Sequence, residues 1–96
     1  MSARDSRREL ATLLIRTREC VEQSADSNWP GLSLVTLSME LNVAIENLNQ
    51  NRPINDDQLR LYFAPNGPLQ QIAMMSGWTD RYAEFATRFD ALIGRV

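Results

Sequence analysis

Leu61-Tyr62-Phe63-Ala64-Pro65-Asn66-Gly67-Pro68-Leu69 is the stretch that decides the fold. Pro65 pushes Ala64 out of the helical region, so a helix arriving from upstream must stop there. Pro68 suits the first position of a new helix, where a missing N–H costs nothing. Between them, Pro-Asn-Gly is turn chemistry. The stretch therefore predicts a corner between two helices. Upstream, Asn55 and Gln58 form a capping box, and Ile54 and Leu59 a hydrophobic staple, for a short helix over Asp56–Phe63. Asp56 and Asp57 favour the positive end of its dipole. Downstream, a helix from Pro68 ends at Gly77, the expected left-handed C′ residue, leaving Trp78 free to pack back onto Ile72 or Ala73. Thr79 is then positioned to cap a last helix. It carries Tyr82, Phe85, Ala86, Phe89, Leu92 and Ile93 on one face, with Glu84 and Arg88 as an i,i+4 pair, and Gly94 closes it.

The first half repeats the helical reading. Ser6 and Glu9 resemble a capping box for a helix over about Arg7–Gln23. Its core face is Leu10, Leu13, Leu14, Thr17, Cys20 and Val21. Arg7 and Arg8 then fall in the first turn, where the dipole disfavours cations. Residues 24–31 have loop composition, with Trp29 expected to close an end of the core. Ser33 is the natural N-cap of a helix over Leu34–Asn49, with Leu32 and Leu37 as its staple. No segment alternates with the period of a strand. The expectation is an all-α fold, one domain spanning residues 1–96 and built as a compact bundle of about five helices, with the second or the fifth helix central.

Composition removes most chemistry. The chain has 96 residues, and its 44% hydrophobic content can support one modest core. It contains no His and no Lys; all ten basic residues are Arg. The commonest general acid/base, the Schiff-base amine and the P-loop lysine are therefore missing. Zinc sites built on His or several Cys are excluded. Cys20 lies on a core face with no His to activate it, which reads as a buried, inert thiol. Asp56-Asp57 is an adjacent carboxylate pair, explained by helix N-terminal charge. The reading is a non-enzyme with no catalytic residue, metal or cofactor. A formal charge of −2 gives no global basic field for nucleic acid. Arg4, Arg7, Arg8, Arg16 and Arg18 are interleaved with Asp5, Glu9, Glu19 and Glu22, which reads as a mixed solvated face. No run approaches the ~18 apolar residues of a membrane span. The chain is expected to be cytoplasmic and complete, contacting neither membrane nor nucleic acid.

Two features could carry function. The second helix has a second apolar stripe, Val35, Met39 and Val43, at i, i+4 and i+8, away from its main face of Leu34, Leu37, Leu41, Ala44, Ile45 and Leu48. A helix apolar on two sides must be covered on two sides. Either other helices flank it, the favoured expectation, or the stripe meets a protein partner or a second copy. Met74, opposite the core face of its helix, and Ile15, among charged residues of the first helix, could extend such an interface, although Met74 or Met75 is expected in the core. The second feature is the corner itself. Asn66 and Gly67 at the start of a helix, with Arg60 nearby, form a possible anion-binding site.

The block from Leu59 to Phe89, with Phe63-Ala64-Pro65-Asn66-Gly67-Pro68-Leu69-Gln70 and Gly77-Trp78, resembles small bacterial helical families of unknown function. Asn28-Trp29-Pro30-Gly31-Leu32 fits the same impression. Some of those families look similar to the immunity proteins that neutralise bacterial toxins. The resemblance implies binding rather than catalysis, and assigns no residues.

Overall fold

The computed structural model describes residues 3–24 and 33–96. Within them lie five helices: α1 (Ala3–Glu22), α2 (Leu34–Asn49), α3 (Asp56–Phe63), α4 (Pro68–Ser76) and α5 (Thr79–Ile93). α1 packs against α2 on one side and α5 on the other. α5 also meets α3 and α4, which pack on each other across the corner. Leu10, Leu14, Leu37, Leu41, Leu59, Leu69, Ile72 and Phe89 are fully or almost fully buried in a single core. Each such side chain contributes about 1.5–3 kcal/mol relative to exposure.

The corner is built as its residues dictate. Pro65 and Asn66 are the central pair of a turn closed by Gly67 N–H donating to Ala64 O at 2.9 Å. Asn66 takes φ 62°, the left-handed value a type II turn requires at that position. Gly67 is needed for a different reason. Its φ is ordinary at −84°, but a Cβ there would lie 2.7 Å from Leu61 O and 2.8 Å from Ala64 O. The backbone of the turn thus lies directly on the end of α3. Asn55 caps α3 by accepting from Gln58 N–H at 3.1 Å, and Ser33 caps α2 by accepting from Thr36 N–H at 3.1 Å. Gly77 takes φ 81° and closes α4, with Gly77 and Trp78 N–H both donating to Ala73 O.

Several local expectations fail for physical reasons. α1 begins at Ala3, so Ser6 is a fully buried residue inside the helix rather than its cap. Glu9 is released from any capping box and pairs with Arg88 of α5 at 2.6 Å, which also replaces the expected Glu84–Arg88 pair. Arg7 leaves the first turn of α1 and reaches the far end of α2, donating to Asn47 O at 3.1 Å and to Arg52 O. A cation placed there complements the negative end of the α2 dipole. Thr79 does not cap α5; Trp78 holds the N-cap position and makes no side-chain capping bond. Trp78 instead donates from Nε1 to Ser24 Oγ at 2.8 Å and tilts against Phe85, so it ties the end of α1 to α5. Trp29 and the Leu32 staple lie outside the described residues.

The largest correction concerns α2. Among the described residues, it is not flanked on both faces. α1 covers its core face, and Val35, Met39 and Val43 stand 69%, 61% and 57% exposed. Ile15 is the reverse case: it is half-buried and packs against the core, so it belongs to no outer surface. Met74 and Met75 are both exposed, against the expectation that one would enter the core. α4 spends Leu69, Ile72 and Ala73 on its buried side, and among the described helices it packs on α3 and α5.

Candidate functional site

The outer face of α2 is framed by polar contacts on both flanks. On the α1 side, Arg18 donates to Asn42 Oδ1 at 2.6 Å, and Ser38 donates to Glu22 Oε1 at 3.3 Å. Arg18 also lies 3.3 Å from Glu22. On the α3 side, Glu40 acts on the hydroxyl of Tyr62. The pKa of that tyrosine is pushed up to about 12, chiefly by burial, then by the charge and hydrogen-bonding capacity of Glu40. The buried face of Leu37, Leu41, Ala44, Ile45 and Leu48 sets the rotation of α2, and with it what faces outward. At about 100° per residue, positions i, i+4 and i+8 drift only slightly around a helix. Val35, Met39 and Val43 therefore form one ridge over more than two turns. A shallow groove beside it is lined by Leu34, Val35 and Met39, together with Ser38, Glu22 and Ser24 at the α1 end.

The other expected interface residues do not form one patch with it on the contacts observed. Met74 lies on α4, which packs on α3 and α5, and Ile15 is covered. Leu61, 57% exposed on α3, is an outward apolar residue that the helical periodicity did not single out.

The corner has less to offer a ligand than its sequence implied. Asn66 N–H donates to Gln70 Oε1, Gly67 N–H donates to Ala64 O, and Pro68 has no N–H. The donors expected to hold an anion are thus engaged within the turn. Gly67 is buried and Arg60 is exposed. The carbonyls of Phe63 and Ala64 both accept from the Tyr82 hydroxyl, at 2.9 and 3.1 Å. Burial raises the Tyr82 phenol above its ordinary range, and the Asp90 charge raises it further.

Cys20 is buried, with Arg81 Nη1 3.6 Å from its sulfur. Among the described residues, no group of three or more Cys, Asp or Glu side chains is placed to hold a metal ion. No described helix is long and apolar enough to cross a membrane. Two clefts flank α1. One, towards α5, has mixed charge and is bridged by the Arg88–Glu9 pair. The other lies where the start of α1 meets the end of α2, and its lining includes Arg4, Arg7 and Arg8. The sequence signal for this second cleft was the run Arg4-x-x-Arg7-Arg8. Nothing local in that run indicates that the end of α2 lies beside it. Comparisons with protein families, with curated proteins and with solved structures find no match to this chain.

Proposed function

We propose that the protein is a small, non-catalytic, cytoplasmic protein–protein interaction module, an adaptor or immunity-like binder, and that it makes contact through the outer face of α2. One observation carries this reading. Val35, Met39 and Val43 form a continuous apolar ridge on a helix held to α1 by its buried face and by polar contacts on one flank, and the ridge is exposed. Single exposed apolar side chains need no explanation, but an ordered row does. Methionine at its centre is adaptable and suits a contact surface. The mechanism is occlusion: an apolar centre with a polar rim covers a complementary surface on another protein or on a second copy.

Light scattering over a concentration series, on the wild type and on Val43→Asp, tests this. Association that is lost in a folded Val43→Asp supports self-pairing through the ridge. A monomeric wild type directs the search to a different protein partner. A folded variant that associates as the wild type does removes the ridge from the interface. An unfolded monomeric variant would mean that the ridge is core, and the proposal would fall.

A further inference from the structure

We infer that the cleft between the start of α1 and the end of α2 binds a small phosphate-bearing anion. This site is separate from the α2 ridge and does not depend on the function proposed above. The cleft has a volume of about 440 Å³ and is lined by Arg4, Arg7, Arg8, Leu48, Asn49 and Asn51. That size falls within the usual range of small-molecule pockets. Three guanidinium groups line it, and among the described residues no carboxylate does. Neither of the ion pairs Arg18–Glu22 and Arg88–Glu9 involves these three arginines. Asp5, adjacent in sequence, is not part of the lining.

The cleft is preorganised. Arg7 is half-buried and held by the carbonyls of Asn47 and Arg52. Its Nε is buried and has no hydrogen-bond partner. Asn51 is set at φ 58° by the end of α2, where Asn51 N–H donates to Leu48 O and Arg52 N–H donates to Asn47 O. Leu48 supplies an apolar floor. The opposing effect is the C-terminus of α2, whose dipole places about half a negative charge there. Arg7 offsets it at that terminus, and Arg4 and Arg8 add their charge to the same cleft, although Arg8 also lines the neighbouring cleft with Glu9 and Glu84. Two exposed guanidinium forks beside a fixed third match the oxygens of a phosphate dianion in charge and in bidentate geometry. A polynucleotide is a poorer match. The next cation along the exposed face of α1 is Arg16, beyond Thr12, and Arg88 is already committed to Glu9.

An NMR titration with pyrophosphate at constant ionic strength tests this. The expected result is saturable shifts centred on the amides of residues 4–8 and 49–52. Arg8→Gln should weaken binding by at least about tenfold, equivalent to 1.4 kcal/mol. Arg16→Gln, outside the cleft, should leave it unchanged. Arg8 and Arg16 are both exposed, so both variants should fold, and melting curves confirm that. Absence of saturation at millimolar pyrophosphate overturns the inference. So does equal weakening by Arg16→Gln, which would report a diffuse field or a polymer track, and so do shifts centred on residues 66–70.

Discussion

The corner at residues 61–69 and the outer face of α2 are opposites. At the corner, polar and apolar groups are committed. Tyr82 holds two carbonyls, Gly67 closes the turn on Ala64, Gln70 takes the Asn66 N–H, and Phe63 stacks on Phe89 with ring centroids 4.3 Å apart and planes 9° from parallel. On α2, three large apolar side chains stand exposed, with no partner face among the described helices. The corner carries the stronger local sequence signal, and that signal is architectural. The α2 ridge carries a weak signal, visible only as a second periodicity, yet it is the surface the fold leaves unexplained. Strength of local specification and availability for binding are therefore different quantities in this chain, and they run in opposite directions.

The contrast breaks most visibly at the stacked rings. Phe63 and Phe89 are both buried. Phe63→Ala should destabilise the fold by about 3–5 kcal/mol, the range for removing a buried aromatic. Urea denaturation measures it. A loss below about 1 kcal/mol would show the corner to be loosely packed, and the distinction between the two regions would collapse.

A smaller effect belongs to the tyrosine that ties α5 to the corner. Tyr82→Phe removes the donor to the Phe63 and Ala64 carbonyls and should cost about 1–3 kcal/mol, the penalty for leaving buried acceptors unsatisfied. The pH dependence sharpens the assignment. Unfolded, a tyrosine ionises at its ordinary 10.0, whereas folded Tyr62 holds its proton up to about 12, and Tyr82 is raised in the same direction. Between those values the folded state binds more protons than the unfolded one, so stability falls as pH rises. The contribution is intact below pH 10 and is lost as pH climbs through about 12. Tyr62→Phe should flatten part of that alkaline slope. An unchanged slope would mean that Glu40 and burial do not act on Tyr62.

How much of this was legible in the sequence follows from the range of the interactions involved. The spans of α2, α3 and α4 were readable because their caps are local: Ser33, Asn55, Pro68 and Gly77 act within one turn of themselves. The start of α1 is not legible locally because Ser6-x-x-Glu9 has the spacing of a capping box, while tertiary packing buries Ser6 and draws Glu9 to Arg88, 79 residues away. The position of Arg7 is not legible for the same reason, since its acceptors lie 40 and 45 residues downstream. The ridge residues were identifiable from periodicity, but not their exposure. Whether a second stripe is core or surface depends on where α3 and α4 settle, and the corner sends them to α5 rather than over α2.

The smallest expected effect bears most directly on the ridge. Valine is a poorer helix former than glutamine by a few tenths of a kcal/mol, because its branched β-carbon restricts the side chain against the preceding turn. At an exposed helical position, burial returns nothing to offset that. Val35→Gln with Val43→Gln should therefore leave the stability of the isolated monomer unchanged within about 0.5 kcal/mol, or raise it slightly. Denaturation at low protein concentration measures the monomer, and a concentration series adds any contribution from self-association. Destabilisation of the dilute protein by more than about 1 kcal/mol would mean that the ridge is covered within the chain. A neutral or stabilising result would show that the monomer does not depend on the two valines on either side of Met39, as an exposed ridge requires.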